Sequence, residues 1–127
     1  MDQSADRPIR TLFVCHQNRK RSATAERIFS KDPALDVRSA GTSSDALVRV
    51  NRHMLDWADI VFVMDDVQGR DLARMFPGHP RIDGIVCLDI PDRFDFLNPE
   101  LVTLLEQRAV PHLERLKHAA ERDGRRV

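Results

Sequence analysis

Residues 9–29 read Ile9-Arg10-Thr11-Leu12-Phe13-Val14-Cys15-His16-Gln17-Asn18-Arg19-Lys20-Arg21-Ser22-Ala23-Thr24-Ala25-Glu26-Arg27-Ile28-Phe29. The apolar run before Cys15 predicts a buried strand over 9–15, and apolar residues at helical spacing after Ser22 predict a helix over 22–31. The polar residues between them form a loop at the N-terminus of that helix. Backbone N–H groups and the helix dipole both favour an anion at such a position. The stretch therefore predicts a strand, an anion-binding loop and a helix.

Strands and helices alternate in the rest of the chain. Further strands are predicted over 35–40, 59–64 and 82–88, and helices within 46–57, over 66–76 and from Asn98 to about residue 122. Asp65-Asp66 and Asn98-Pro99 mark helix starts, and Pro111 is expected to kink or divide the last helix. The alternation indicates right-handed βαβ units. The expected fold is α/β: a doubly wound, four-stranded parallel sheet in the order 2-1-3-4, with helices on both faces.

The composition indicates one globular domain. With 127 residues, 42% of them hydrophobic and 31% charged, the chain is long enough to bury one core. We expect a single domain over 9–122, a disordered tail over 1–8 and a frayed basic tail over 123–127. The formal net charge is zero, which disfavours nucleic acid as a partner. No apolar run approaches the roughly 20 residues of a membrane span, and the N-terminus lacks a signal peptide's hydrophobic region. We therefore expect a cytoplasmic monomer that does not bind membranes.

Cys15 is placed to act as a nucleophile. Cysteine reacts as the thiolate, which a helix N-terminus and a nearby cation both stabilise, and Arg21 supplies that cation. The planar donor fork of Arg21 suits two phosphate oxygens. The Ser22 hydroxyl can donate a hydrogen bond to the thiolate, and Asn18 can hold the loop in a left-handed conformation. Attack on phosphorus would give a phosphocysteine intermediate, which splits one difficult displacement into two.

The leaving oxygen in such a reaction needs a proton donor opposite the thiolate. The candidates are three aspartates in the loop predicted after the fourth strand, over residues 89–97: Asp89, Asp92 and Asp95. Because parallel strands end on the same edge of the sheet, this loop can reach Cys15. We favour Asp92, which follows Pro91, and place Asp89 second.

Residues 14–22, together with Ala25-Glu26, resemble the signature of the low-molecular-weight protein tyrosine phosphatases. The similarity continues in three further segments, over 39–42, 57–64 and 89–92, and it covers most of residues 9–116. The resemblance implies a flavodoxin-like sheet, hydrolysis of phosphomonoesters through a phosphocysteine, and no metal or other cofactor. It also implies that phosphorylated proteins or small phosphomonoesters are the substrates.

The resemblance assigns roles to individual residues. The nucleophile, the phosphate-binding arginine and the thiolate-stabilising serine of the family correspond to Cys15, Arg21 and Ser22. The asparagine and serine that order the loop correspond to Asn18 and Ser39. The phosphate-binding loop as a whole consists of His16, Gln17, Asn18, Arg19, Lys20, Arg21 and Ser22.

Two features depart from the family pattern. The general acid corresponds to Asp92, but Arg93 and Phe94 follow it where the family usually has a proline and then an aromatic residue. Phe94 is therefore the expected supporting aromatic residue. The mouth of the loop should be more basic than in the family, since three residues replace typically small or apolar ones: His16, Arg19 and Lys20.

Two other functions fit parts of this pattern. Arsenate reductases resemble the same scaffold, but they need additional cysteines for a redox relay, and Cys87 is the only other cysteine here. Its position in an apolar strand predicts that Cys87 packs in the core. A non-catalytic phosphate- or phosphoprotein-binding module is the third hypothesis, although the joint presence of Cys15, Arg21 and an acid argues against it. The histidines lack zinc-ligand spacing, so no metal site is expected.

Overall fold

Strands and helices alternate through residues 7–124, which are the residues that this computed structural model describes. In order, they are β1 (Ile9–Cys15), α1 (Arg21–Phe29), β2 (Leu35–Gly41), α2 (Arg52–Trp57), β3 (Ile60–Val63), α3 (Asp66–Met75), a 3-10 helix (Pro80–Gly84), β4 (Val86–Cys87) and α4 (Pro99–Gly124). Of the two predicted tails, residues 1–6 and 125–127 lie outside the described part. Arg7, also assigned to the N-terminal tail, donates two hydrogen bonds from its guanidinium to Asp59.

The four strands form one parallel sheet in the order β2-β1-β3-β4. Helices α1 and α4 contribute to the core on one face of the sheet, and α2 and α3 to the core on the other. The predicted doubly wound α/β fold with strand order 2-1-3-4 is therefore confirmed. Strand order reverses between β1 and β3, and ligands of such sheets bind beyond the carboxyl ends of the strands at this point.

Alternate residues of β1 pack into the two cores. Leu12 is buried on the α2–α3 side, whereas Phe13 and Cys15 are buried on the α1–α4 side. The Phe13 ring stacks against the rings of Phe29 and Phe62, with centroid distances of 5.4 and 5.0 Å. Full burial of one such side chain stabilises a fold by roughly 1.5–3 kcal/mol. Packing on both faces of β1 therefore holds Cys15 in a fixed position at the end of the strand.

The fourth strand is much shorter than the strand predicted over 82–88. Residues Pro80–Gly84 form the 3-10 helix instead. Pro80 fixes the backbone of its first turn, and the His79 ring accepts a hydrogen bond from the Arg81 N–H at 3.1 Å. The prediction is wrong because this capped turn overrides the apolar content of the segment.

Pairing with β3 nevertheless continues past the two residues of β4. The Leu88 N–H donates to the Val63 carbonyl at 2.9 Å, and the Ile90 N–H donates to the Met64 carbonyl at 2.7 Å. These bonds carry the chain along β3 to the carboxyl edge of the sheet. Loop 89–97 therefore starts on the same edge as the end of β1.

Cys87 is exposed rather than packed in the core, so that prediction is wrong. It lies on an edge strand, where burial depends on neighbouring elements that the local sequence does not reveal. Partial burial raises the pKa of the Cys87 thiol, the charges of Asp66 and Asp89 raise it further, and a backbone hydrogen bond at Asp89 opposes the change. A thiol in this setting is a poor thiolate nucleophile at neutral pH.

The last helix runs without a break from Pro99 to Gly124. It begins where predicted, since the Asn98 side chain accepts hydrogen bonds from N–H groups of the first turn. Pro111 does not divide it. Ala109 before the proline and Leu113 after it are buried in the same core, so both halves of the helix pack on the same face of the sheet. In the described part of the chain, no helix is both long enough and apolar enough to cross a bilayer.

Candidate active site

The Cys15 thiol lies where β1 ends and loop 16–20 begins, and only 3% of the residue is exposed. The Asn18 N–H donates to Sγ at 3.2 Å, and the Ser22 Oγ lies 2.9 Å from Sγ. The Asn18 Nδ2 also donates to the Ser22 Oγ at 2.9 Å, so the hydroxyl proton can be directed to the sulfur. Hydrogen bonds to an ionised acceptor are the stronger kind. Two donors therefore lie against the sulfur at the base of the loop.

Asn18 holds the loop together from inside. Its φ is 59°, the left-handed conformation that asparagine tolerates better than most residues. The side chain is buried, and its Nδ2 also donates to the Ser39 Oγ at 2.9 Å, while its Oδ1 accepts from the Val48 N–H at 3.2 Å. The Ser39 hydroxyl in turn donates to the Glu26 carboxylate. One side chain thus ties the loop to α1, β2 and the segment after β2.

The segment after β2 supports the loop from outside. Three loop carbonyls accept hydrogen bonds from it: Cys15 from the Thr42 N–H at 3.0 Å, His16 from Ser43 at 2.9 Å and Gln17 from Leu47 at 3.0 Å. Within residues 7–124, four loop N–H groups have no protein acceptor, namely those of His16, Gln17, Arg19 and Lys20. The loop carbonyls therefore accept hydrogen bonds from the segment after β2, and the loop N–H groups remain available to bind an anion.

We expect Gly41→Ala to destabilise the protein by about 1–3 kcal/mol, the usual cost of overpacking. A Cβ at Gly41 would overlap the His16 carbonyl oxygen and would lie 2.8 Å from the Ala46 Cβ and 3.0 Å from the Asn18 nitrogen. Two of these neighbours are backbone atoms of the anion-binding loop, which cannot rotate away. Denaturant unfolding measures the loss of stability.

The matched control for Gly41→Ala is Gly84→Ala. A Cβ at Gly84 meets nothing within 4 Å, so this variant should unfold within about 0.5 kcal/mol of wild type. Equal stability of the two variants would contradict the close approach of Gly41 to the loop.

Arg21 begins α1, and its guanidinium is anchored from two sides. Its Nη1 donates to the Asp65 carboxylate and to the Ile90 carbonyl, both at 2.9 Å. Its side chain is almost completely buried, with 2% exposed. The Nε lies 3.7 Å from the Asp92 carboxylate. Asp65 and the Ile90 carbonyl therefore bind Nη1. Arg21 also lines a pocket beside Cys15.

That pocket has a volume of about 80 Å³, which suits one tetrahedral oxyanion rather than a whole phosphorylated side chain. Its lining consists of Cys15, His16, Gln17, Arg19, Lys20, Arg21 and Asp92. The structure thus brings together the predicted nucleophile, the predicted arginine and the favoured acid. Asp89 does not line the pocket, and the exposed Asp95 lies 3.7 Å from the Lys20 ammonium.

Phe94 does not stand at the mouth of the pocket. Only 4% of it is exposed, and it packs in the core with Leu88 and Ile90. The Arg93 guanidinium lies over its ring, 4.7 Å from the centroid. Phe94 therefore packs beneath loop 89–97 in the core and does not line the pocket.

The sequence reasoning missed the role of Asp65 in the site. Asp65 was assigned only as the cap of α3, which it is, since its carboxylate accepts from the Val67 N–H at 2.9 Å. The other carboxylate oxygen accepts from Arg21. The available signal was its position directly after β3, because the carboxyl ends of β1 and β3 are neighbours. In the described residues, no cluster of three His, Cys, Asp or Glu side chains is arranged to hold a metal ion.

Several solved phosphatase structures are similar to this chain. The YwlE arginine phosphatase from Geobacillus stearothermophilus is 22% identical, with 87% of this chain and 97% of that chain covered and a TM-score of 0.65. The tyrosine phosphatase Wzb from Escherichia coli K30, in complex with phosphate, is 20% identical, with coverage of 84% and 97% and a TM-score of 0.70. The low-molecular-weight protein tyrosine phosphatase SP-PTP from Streptococcus pyogenes is 18% identical, with coverage of 85% and 93% and a TM-score of 0.71.

Two comparisons of the whole sequence find no match to the chain. No protein-family model matches the chain, and no curated protein matches it either. The three solved structures are covered over 93–97% of their own length at TM-scores of 0.65–0.71. The chain therefore has the fold of the low-molecular-weight protein tyrosine phosphatases.

Proposed function

We propose that the protein is a cysteine-dependent phosphomonoester hydrolase of the protein tyrosine phosphatase type. One observation carries this proposal: the Cys15 sulfur, the Arg21 fork and the Asp92 carboxyl group line the same oxyanion-sized pocket. Nucleophile, charge stabiliser and proton donor are the three parts that phosphoryl transfer to a thiolate requires. The substrate would be a phosphorylated protein or a small phosphomonoester.

In the first step the Cys15 thiolate attacks phosphorus, an S–P bond forms and the ester P–O bond breaks. The Arg21 fork and the loop N–H groups stabilise the negative charge on the equatorial oxygens. Asp92, as the neutral acid, gives its proton to the leaving oxygen. The products of this step are the free alcohol or phenol and a phosphocysteine.

In the second step water attacks the phosphocysteine. The Asp92 carboxylate takes a proton from the water, an O–P bond forms and the S–P bond breaks. The thiolate leaves with the hydrogen bonds of the Asn18 N–H and the Ser22 hydroxyl already in place. Phosphate departs, and Asp92 is again the neutral acid.

Turnover of p-nitrophenyl phosphate tests the proposal. The protein should release nitrophenol, and rapid denaturation in alkali, in which the S–P bond is stable, should trap one phosphoryl group on Cys15. Phosphotyrosine and phosphoarginine peptides complete the panel, since the similar solved structures include a tyrosine and an arginine phosphatase. Tight phosphate binding without turnover would favour a binding module, and arsenate reduction lost in Cys87→Ser would favour a reductase.

Asp92→Asn should slow hydrolysis of phenyl phosphate by about 10²-fold or more, the usual contribution of a general acid. The loss should shrink for 2,4-dinitrophenyl phosphate, because its leaving group needs no proton. Steady-state kinetics with both esters measure the effect.

Asp89→Asn is the matched control for Asp92→Asn. The Asp89 carboxyl group does not line the pocket, so its loss should leave the dependence on leaving group as in wild type. If Asp89→Asn, and not Asp92→Asn, removes that dependence, the assignment of the acid is wrong.

A further inference from the structure

The pocket beside Cys15 can hold little more than the phosphoryl group. At about 80 Å³ it has room for one oxyanion, and no aromatic side chain is among the residues that line it. The remainder of a substrate must therefore lie outside, against the rim. The rim consists of the exposed lining residues His16, Gln17, Arg19 and Lys20. Their contacts with the rest of the substrate determine which phosphorylated compounds bind.

Among the arginine and lysine side chains that line the pocket, only Arg19 has no carboxylate partner within residues 7–124. Lys20 lies 3.7 Å from the Asp95 carboxylate, and Arg21 is paired with Asp65. Within residues 7–124, no carboxylate lies within 4 Å of the Arg19 guanidinium. Its nearest polar contact is a long one, 3.5 Å from Nη2 to the Asp45 carbonyl oxygen.

The acidic side chains near Arg19 are directed elsewhere. The Asp45 carboxylate accepts the hydroxyl hydrogen bond of Ser43, which is the largest cause of its lowered pKa, and the charges of Arg19 and His16 contribute less. Asp92 faces Arg21. An exposed guanidinium with five donors and no carboxylate partner suits a planar anionic group.

We propose that Arg19 is a specificity-determining residue that binds a second negatively charged group of the substrate, next to the phosphate held by the loop. This inference rests on the proposed phosphatase function and names its substrate class: phosphomonoesters with a neighbouring carboxylate or second phosphate. Such a group is an acidic side chain beside the phosphorylated residue of a protein, or an acidic substituent of a small ester. Both kinds of substrate have a negatively charged group that the Arg19 guanidinium can contact.

Two pairs of substrates separate the charge from the shape of the second group. The first pair is 4-carboxyphenyl phosphate and 4-carbamoylphenyl phosphate, which have nearly the same shape and differ by one negative charge. The second pair is a phosphotyrosine peptide with glutamate on both sides of the phosphotyrosine and the same peptide with glutamine. For each pair, the ratio of the two kcat/KM values is the quantity measured, at low and at high ionic strength.

Arg19→Gln should lower this ratio by about three- to fivefold at low salt, the range expected for one exposed charge pair. Arg19→Lys should retain most of the ratio, and high salt should reduce the difference from wild type because it screens exposed charges. A fall in the small-ester pair alone identifies a small substrate, and a fall in the peptide pair identifies a protein substrate. Either result supports the role of Arg19.

Arg70→Gln is the matched control, since Arg70 is an exposed arginine of α3 that does not line the pocket. If the ratios are the same in Arg19→Gln as in wild type, or if Arg70→Gln lowers them equally, the inference is wrong although hydrolysis persists. Failure of the proposed function gives a different result, because wild type would then hydrolyse none of the four substrates.

Discussion

Cys15→Ser is expected to reduce turnover of p-nitrophenyl phosphate by roughly 10⁴-fold or more, as the loss of a covalent nucleophile does in other enzymes. A serine hydroxyl stays protonated at neutral pH and is a much weaker nucleophile than a thiolate. Any phosphoserine that formed would also break down slowly, because an alkoxide is a much poorer leaving group than a thiolate. Both chemical steps are therefore slowed.

Phosphate binding should survive in the same variant. The oxygen of serine can keep the hydrogen bonds that the Asn18 N–H and Ser22 make to sulfur, so the loop should retain its shape. Isothermal titration with phosphate measures the binding, and acid-quenched labelling measures the phosphoenzyme. Cys87→Ser is the matched control: it also removes one thiol, but from an exposed site, and should turn over as wild type does. Robust multiple turnover by Cys15→Ser would exclude the thiolate mechanism.

Arg21→Lys is expected to lower kcat/KM by roughly 10²–10³-fold, the scale of losing one designed donor to transition-state charge. The substitution keeps the positive charge but removes the planar fork. A single ammonium group cannot satisfy Asp65 and the Ile90 carbonyl and still present two parallel donors to phosphate oxygens. The loss should appear mainly in kcat if the fork acts on the transition state.

Arg74→Lys is the control for the arginine-to-lysine change itself. Arg74 is exposed and pairs with Asp71 on α3, outside the pocket, so the variant should match wild type in kcat/KM and in thermal stability. Circular dichroism of Arg21→Lys separates a folding defect from a catalytic one. Activity of Arg21→Lys within about threefold of wild type would contradict the role given to the fork.

The local patterns of the sequence predicted the parts of the site that are contiguous in the chain. The strand before Cys15, the loop and the helix start at Arg21 follow from residues that are neighbours in sequence, where apolar spacing and polar character are direct signals. The parallel sheet was predicted from the alternation of elements, and the expected flavodoxin-like strand order 2-1-3-4 is confirmed. The pairing of Arg21 with Asp65 was not predicted, because 44 positions separate them and each residue already had a sufficient local role.

Errors occurred where an edge or a capped turn determined the structure. The segment over 82–88 is apolar enough for a strand, yet His79 and Pro80 set up a 3-10 turn within it. Cys87 follows that turn on the edge of the sheet, where no second strand covers it. Phe94 was predicted only as a supporting residue, and its burial in the core with residues of α4 was not predicted, because α4 begins further along the chain. The error at 82–88 thus comes from a local turn, whereas the burial of Cys87 and Phe94 depends on distant elements.

The double anchorage of the Arg21 Nη1 atom has a consequence for the thermodynamics of phosphate binding. A free arginine side chain carries roughly 2 kcal/mol of rotamer entropy, which a flexible site loses when it orders around a ligand. Here Asp65 and the Ile90 carbonyl already restrict that side chain in the folded protein. The entropic cost thus falls on folding, and the phosphate meets a preorganised donor whose affinity for oxyanions is not reduced by ordering.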